Sequence, residues 1–215
     1  MGSTRLPGKI LRPIGGRLLL DHILGRLGKS RYPARVVVAT GDTQRDDAVA
    51  EFCAARSVDC FRGSEQDVLA RYYECARARG FEQIVRLTGD NPFTDAEELD
   101  RLIEFHLAGH FDYSSSLEEL PVGVGAEIFS FRALERSFLE GLAPHHREHV
   151  DEYVLENRAL FRTGRLTVAQ AKRHPEVRLT VDTTEDLRRA EFISENAVGA
   201  WPTTEEAIGL CSRFA

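Results

Sequence analysis

This sequence of 215 residues lacks long apolar runs, paired cysteines and a net positive charge, and each absence argues against a class of protein. The apolar runs, such as 18–20 and 36–39, fall far short of the roughly 20 residues that span a bilayer. The four cysteines form no CxxC pair, so free thiols in a reducing compartment are expected rather than zinc ligands. The net charge of -6 is unlike that of a general nucleic-acid binder. We therefore expect a cytoplasmic protein that binds neither membranes nor nucleic acid.

The pattern of apolar residues predicts an α/β fold. Short β-branched runs alternate with segments of helical periodicity up to about residue 120, as expected for parallel strands joined by crossover helices. The predicted strands in this part are 35–40, 58–61, 83–87 and 111–115, and the predicted helices are 17–28, 45–56, 65–79 and 95–107, the last capped by Thr94.

The alternation changes after residue 120, but neither a linker nor a repeat divides the chain. An apolar stretch at 126–131 comes first. It is followed by predicted helices at 132–140, 145–159, 184–196 and 203–213 and predicted strands at about 164–171 and 177–181. We predict one domain over residues 1–215, with a three-layer, Rossmann-like fold around a mixed, mostly parallel sheet.

The first nine residues, MGSTRLPGK, contain the ingredients of a phosphate-binding loop. Glycine lets backbone N–H groups approach phosphate oxygens, while Arg5 and Lys9 supply positive charge. The loop is not of the GxxxxGK[ST] type, because Ile10 stands where a metal-binding hydroxyl is required and Pro13 opposes a helix from Lys9. A surface turn carrying two solvated cations is the alternative.

Two aspartates follow predicted strands directly. Asp90 comes after the strand at 83–87, and Asp182 comes after the strand at 177–181. The carboxyl ends of strands are where α/β folds bind ligands, and carboxylates are preferred ligands of Mg²⁺. Alternatively, Asp90 caps a turn before Pro92 and Asp182 caps the helix that starts near Thr184.

Several ordered motifs resemble the cytidylyltransferase family, which includes Kdo and acylneuraminate cytidylyltransferases. The likeness is greatest to the branch involved in spore coat polysaccharide biosynthesis. The motifs are MGSTRLPGK with the following ILRPIGGRLLLDHILGRL, VVVATGDTQRDD, FRGSEQDVLARYY, VRLTGDNPF, REHVDEYV and RLTVDTTEDL. The resemblance implies a nucleotidyltransferase that moves the cytidylyl group of CTP to a sugar or sugar acid, giving a CMP-sugar and pyrophosphate for surface polysaccharides.

The resemblance also implies roles for individual residues. Asp90 and Asp182 would hold Mg²⁺, and Arg5, Lys9 and Asp90 would form the catalytic set. The nucleotide would contact Ser3, Thr4, Arg5, Lys9, Thr40, Ser64, Asp67 and Arg71. Asp67 and Arg71 could equally form local ion pairs on a helix.

At the acceptor end, the resemblance implies that Arg147, His149 and Glu127 contact the sugar. Arginine and histidine suit the carboxylate or hydroxyls of a sugar. The segment HHREH at 145–149 could instead be a polar helix end, and it lacks the HExxH pattern of a zinc site. Glu127 could instead be an outward-facing strand residue.

The sequence departs from its relatives at two places. Around Gly125 only the acidic residue Glu127 is present, where many relatives have two acids. Relatives also carry a hydrophobic central strand before the opening loop, so we predict that this first strand is missing and that Met1 is internal to a longer natural protein. Relatives are often dimers, which implies a homodimer with contacts near 117–131.

Two other functions compete with the cytidylyltransferase interpretation. A glycosyltransferase that uses a nucleotide-sugar donor would share the α/β fold, but such enzymes usually show a DxD motif mid-chain, and no DxD ends a predicted strand here. A truncated, non-catalytic homologue is the other alternative. Nucleotide binding and pyrophosphate release distinguish the three.

Overall fold

The computed structural model describes residues 5–32 and 34–214. Within these ranges the strands are β1 (Pro13–Ile14), β2 (Arg17–Leu18), β3 (Val37–Gly41), β4 (Asp59–Gly63), β5 (Gln83–Arg86), β6 (Tyr113–Ser115), β7 (Glu127–Ser130) and β8 (Thr163–Arg165). The helices are α1 (Leu19–Leu27), α2 (Asp47–Ala55), α3 (Val68–Arg79), α4 (Ala96–Gly109), α5 (Phe131–Glu140), α6 (Pro144–Glu148), α7 (Glu152–Glu156), α8 (Thr184–Asn196) and α9 (Thr204–Cys211).

The described strands form separate sheets rather than the single, mostly parallel sheet that the sequence predicts. β1 and β2 form a small hairpin, and β3 pairs with β4 in parallel. The largest sheet has the order β5-β7-β6-β8, in which β7 is antiparallel to both neighbours and β6 and β8 are parallel. In this sheet β5, β6 and β8 run in the same direction and only β7 runs against them, so the prediction of a mixed, mostly parallel sheet is confirmed here.

A cavity of about 720 Å³ lies between the β3–β4 sheet and the four-stranded sheet. Every residue of β3 and of β5 lines it, whereas no residue of β4 or β7 does. Since successive side chains of a strand point to opposite faces, a lining of consecutive residues means that the cavity runs along the strand edges. The edges of β3 and β5 that face the cavity therefore have no strand partner among the described residues.

Local side-chain bonds explain where several helices begin. Asp95, rather than the predicted Thr94, caps α4 and accepts from the N–H groups of Glu97 and Glu98. Ser130 caps α5 by accepting from the Ala133 N–H. Such caps satisfy N–H groups that have no partner within the helix.

The predicted strand at 177–181 is instead an extended segment that makes only isolated contacts. Val122 donates to the Val177 carbonyl and accepts from the Leu179 N–H, both at 2.8 Å. Gly123 has φ +95° and packs so closely that a Cβ there would lie 2.6 Å from the Thr180 nitrogen. This close approach holds the segment at the edge where the candidate site forms.

A buried cation fixes the start of α4 to the C-terminal part of the chain. Lys172 is 5% exposed, and its ammonium lies 3.0 Å from Asp95, 2.8 Å from Glu97 and 3.3 Å from Glu98. Burial disfavours the charged lysine, but these carboxylates more than compensate, so the pKa of Lys172 is raised. Glu98 also pairs with Arg101, so the buried carboxylates of this cluster each have a cationic partner.

No helix in the described ranges is long and apolar enough to cross a membrane. The predicted helix at 145–159 divides into α6 and α7, and the predicted strand at 164–171 is limited to the three residues of β8.

Candidate functional site

Two aspartates and a lysine meet at one point of the fold. The Lys9 ammonium donates to Asp90 Oδ2 at 2.7 Å and to Asp182 Oδ1 at 2.6 Å. The three side chains are 14–24% exposed, so the cluster is partly shielded from solvent. The structure thus brings together residues separated by as much as 173 positions in the sequence.

Backbone hydrogen bonds keep the two aspartates side by side. The Val181 N–H donates to the Asp90 carbonyl at 2.9 Å, and the Thr180 hydroxyl donates to the same oxygen. Because Asp182 follows Val181 directly, its carboxylate is held next to that of Asp90. The segment 177–182 is therefore positioned by Asp90 itself as well as by Val122.

The structure argues against both capping alternatives. Thr183, not Asp182, is the N-cap of α8, and its hydroxyl and backbone N–H bond reciprocally with Asp186 in a capping box. The turn after β5 is closed by Asn91, whose side-chain amide donates to the Thr88 hydroxyl. The carboxylates of Asp90 and Asp182 point to Lys9 instead.

Positive charge surrounds Asp182. Arg178 donates to Asp182 Oδ2, and the Arg5 guanidinium lies 3.5 Å from Asp182 Oδ1. Partial burial acts to raise the pKa of Asp182, but the hydrogen bonds and charges of Lys9 and Arg178 outweigh it, so the pKa is lowered. Asp182 is therefore ionised at neutral pH.

The donor set suits a hard divalent cation. One nitrogen atom lies within 2.7 Å of two carboxylate oxygens from different segments, so a single point is accessible to both. Mg²⁺ takes oxygen ligands at about 2.0–2.1 Å and keeps several waters, which two carboxylates at a partly open position permit. Asp90 and Asp182 could hold such an ion.

A second group of predicted residues surrounds the start of α3. The Ser64 hydroxyl accepts from the Asp67 N–H at 3.0 Å, and Asp67 caps α3 by accepting from the Ala70 N–H at 2.8 Å. Arg71 donates to the Ser64 carbonyl at 2.6 Å. Arg147, predicted for the acceptor sugar, lies 3.6 Å from Asp67. These residues therefore lie close together, and Ser64 and Asp67 also stabilise the start of α3.

The cavity between the sheets connects the two groups. It is lined by Thr40 at the end of β3, by Arg71, and by Thr88 and Gly89, which immediately precede Asp90. The Nε atom of Arg71 is buried and makes no hydrogen bond in the described part of the chain. The rest of the lining is mainly apolar, and Asp90 follows the lining residue Gly89 directly in the sequence.

Glu127 lies in the core rather than at an open acceptor end. It is 1% exposed, and its two oxygens accept from Arg86 and, at 2.6 Å, from the Tyr113 hydroxyl. Burial disfavours the Arg86 cation, but the charge of Glu127 outweighs it and raises the pKa of Arg86. The outward-facing alternative is thus wrong. A direct contact of Glu127 with a sugar is not supported by its position.

The remaining predicted residues add little to this geometry. His149 is exposed at the C-terminal end of α6. Ser3 and Thr4 lie outside the described residues. In the neighbouring segment, His145 and His146 both bond to Glu156, at 2.8 and 2.7 Å. His146 Nδ1 also accepts from the Ala143 N–H, so this pair ties α6 to α7.

The sequence interpretation missed two cations. Arg178 pairs with Asp182 and Asp186, and Arg86 pairs with Glu127 and lines the cavity. Arg178 stands four residues before Asp182 within RLTVDTTEDL, so its position in that motif could have drawn attention to it. Arg86 likewise stands four residues before Asp90 within VRLTGDNPF, so the same spacing could have drawn attention to it.

The α/β fold that holds these residues is a nucleotidyltransferase fold, as comparisons with known proteins show. A cytidylyltransferase of Leptospira borgpetersenii superposes with a TM-score of 0.91 at 32% identity, covering 99% of this chain and 90% of that one. The structure of CMP:2-keto-3-deoxy-manno-octonic acid synthetase with CTP superposes with a TM-score of 0.65 at 18% identity, over 88% of this chain and 92% of that one, which supports the fold alone.

Sequence comparison identifies the family. The family model described as Cytidylyltransferase matches residues 1–203, and this chain belongs to the cytidylyltransferase family of enzymes. It is 38% identical to the spore coat polysaccharide biosynthesis protein SpsF of Bacillus subtilis, over 99% of this chain and 91% of that protein. It is also 38% identical to an uncharacterized protein of Methanocaldococcus jannaschii, over 87% of this chain and 76% of that protein.

These results confirm the resemblance inferred from the motifs, including the relation to Kdo cytidylyltransferases. They give no support to the prediction that a first central strand is missing, because the likeness covers nearly all of this chain.

Proposed function

We propose that this enzyme transfers the cytidylyl group of CTP to a hydroxyl of a sugar or sugar acid, in the synthesis of a surface polysaccharide. The acceptor oxygen forms a bond to the α-phosphorus, and the bond from that phosphorus to the oxygen bridging the β-phosphate breaks. Pyrophosphate leaves, and the hydroxyl proton passes to solvent. The convergence of Lys9, Asp90 and Asp182 beside a cavity, in a chain of this family, is the observation that carries the proposal.

Charge neutralisation is the main task that this reaction sets its enzyme. Phosphoryl and nucleotidyl transfer need positioning and electrostatic stabilisation more than covalent catalysis. Lys9 and Arg5 are placed to bind phosphate oxygens next to the two aspartates. Mg²⁺, when bound by Asp90 and Asp182, would supply further positive charge at the phosphates.

The cavity suits the nucleoside part of CTP. Thr40 and Arg71 line it, and Thr88 and Gly89 connect it to Asp90. Arg71 donates to the Ser64 carbonyl through one terminal nitrogen, and in this proposal its other terminal nitrogen donates to a nucleotide oxygen. Arg147 lies 3.6 Å from Asp67, and in this proposal its guanidinium binds the carboxylate of an acidic sugar.

Thermal or urea unfolding with CTP, UTP, ATP and GTP, each with Mg²⁺, tests nucleotide choice. A ligand present at 100 times its dissociation constant adds about 2.7 kcal/mol to the free energy of unfolding. We expect this gain for CTP alone and its loss in Asp182→Asn. Glu185→Gln is the matched control, since Glu185 is nearby but its side chain is 76% exposed. Equal effects of all four nucleotides, or none, would contradict the proposal.

The acceptor is tested by pyrophosphate release. We expect release with CTP and an eight- or nine-carbon sugar acid, and a raised KM for that acid in Arg147→Gln with little change for CTP. Sugar transfer from a nucleotide-sugar donor without pyrophosphate would favour the glycosyltransferase alternative.

We also propose that the enzyme forms a homodimer, with part of its interface in the 117–122 loop. Leu117 and Val122 are 40% and 44% exposed there, whereas β7 is a buried inner strand and cannot be a contact surface. Leu117→Asp should convert a dimer to a monomer in light scattering, and an unchanged mass would contradict this interface.

A further inference from the structure

Lys9 lies at the point where a divalent cation would bind. Its ammonium donates to one oxygen of Asp90 and one of Asp182, at 2.7 and 2.6 Å. An ion held by the same two oxygens would have to lie close to this nitrogen. Lysine and cation therefore compete for one position.

The loop around Lys9 is anchored, so this placement is built into the fold. Leu6 is 4% exposed and belongs to the main core, and Ile10 packs against the same core. The Lys9 N–H donates to the Leu6 carbonyl, and Gly8 takes φ +69°, a left-handed conformation that glycine adopts readily. The backbone at Lys9 is thus fixed, so any movement of its ammonium would use the rotatable bonds of the four-carbon side chain.

Electrostatics opposes a cation that arrives alone. Asp182 already has Arg178 on its second oxygen and Arg5 at 3.5 Å from its first. With Lys9 also present, three cations lie around the two aspartates, and one of them, Arg178, also pairs with Asp186. A divalent ion would add two more positive charges next to an ammonium, which is unfavourable in a partly buried site. A triphosphate removes this conflict, because it gives Lys9 new anionic partners.

We infer that Lys9 occupies the cation position in the free enzyme and moves to the phosphates when nucleotide binds, so that the divalent cation enters with the nucleotide and not before it. This inference rests on the proposed function, because it requires a nucleotide triphosphate as the second partner of Lys9. It assigns Lys9 two alternative positions and makes it a determinant of binding order.

Binding of Mn²⁺, followed by the loss of its free electron paramagnetic resonance signal, tests the inference without measuring turnover. The proteins are the wild type, Lys9→Met and Lys9→Arg, each without nucleotide. We expect Lys9→Met to bind Mn²⁺ about tenfold more tightly than the wild type or more, since it removes one adjacent positive charge. Lys9→Arg keeps the charge and should bind as weakly as the wild type.

Controls separate this site from other surface carboxylates. The double variant Lys9→Met with Asp182→Asn should lose the added binding, and thermal unfolding shows whether each variant is folded. Equal Mn²⁺ affinity of the wild type and Lys9→Met would overturn the inference. Binding of Mn²⁺ by Lys9→Arg as tight as that by Lys9→Met would also overturn it.

Adding CTP distinguishes this inference from the proposed function. We expect CTP to increase Mn²⁺ uptake by the wild type beyond the Mn²⁺ that the same CTP binds without protein, to the level of one ion at this site. If CTP has no effect on any variant, the proposed function fails. The comparison of wild type with Lys9→Met in the absence of CTP still decides whether Lys9 blocks the cation.

Discussion

Acid should destabilise this protein through His106, a histidine that the fold keeps neutral. His106 is 1% exposed, and its ring nitrogens lie 2.8 Å from the Ser114 hydroxyl and 2.9 Å from the Gln83 side-chain oxygen. Burial lowers the pKa of His106 from 6.5 to about 4, against a smaller opposing effect of Asp112.

The direction and size of this acid destabilisation follow from proton binding. Between pH 6.5 and 4 the unfolded chain binds a proton at His106 that the folded protein does not, so stability falls as the pH is lowered. The contribution is complete above pH 6.5 and lost progressively toward pH 4. A shift of this size corresponds to about 3.4 kcal/mol in all, of which about 2 kcal/mol is lost by pH 5.

Urea unfolding at pH 8, 7, 6 and 5 measures this effect. In His106→Gln the titrating group is gone, so the free energy of unfolding should fall by about 2 kcal/mol less than in the wild type between pH 8 and 5. His110→Asn is the control, because His110 is exposed with φ +48° and asparagine tolerates that conformation. If wild type and His106→Gln lose equal stability over this range, the reasoning is refuted.

Three further predictions concern the site and its supports. Asp182→Asn should lower pyrophosphate release on the order of 10²-fold or more while Glu185→Gln changes it little, as measured by initial rates with CTP and acceptor. Lys172→Met should cost about 3–5 kcal/mol in urea unfolding, because it leaves buried carboxylates uncompensated; a loss below 1 kcal/mol would show that the cluster is solvated. Gly123→Ala should cost about 1–3 kcal/mol and weaken CTP binding, since its Cβ would meet Thr180 and displace the segment that holds Asp182; unchanged stability would mean that the backbone adapts.

Sequence reasoning located most helices and strands because their signals are local. The helices at 17–28, 45–56, 65–79 and 184–196 are present within a few residues of their predicted bounds. The segment at 177–181 was predicted as a strand from its apolar alternation but has only isolated partners. Strand pairing depends on which strand edges of the folded protein are free to form hydrogen bonds, and the periodicity of apolar residues does not contain this information.

The candidate site was predictable in part. Asp90 and Asp182 were chosen because they follow strand-like runs, and the fold brings them together, although their metal-binding role stays a prediction. Glu127 was chosen from the motif pattern, and the fold buries it against Arg86 and Tyr113. Whether a charged strand residue faces solvent or the core depends on the neighbouring strands and side chains, and the sequence motif does not show these.

The order of residues was sufficient to establish the family, the α/β class and the residue types of a phosphate-binding site. Motifs and apolar periods depend only on residues that are close together in the sequence, so they can be recognised without knowing the tertiary structure. The position of Lys9 between two aspartates is different in kind. It requires the opening loop, the turn after β5 and the segment before α8 to meet at distances below 3 Å. Packing of the whole core sets those distances, so only the tertiary structure shows the contacts from which we infer a competition between the ammonium and a metal ion.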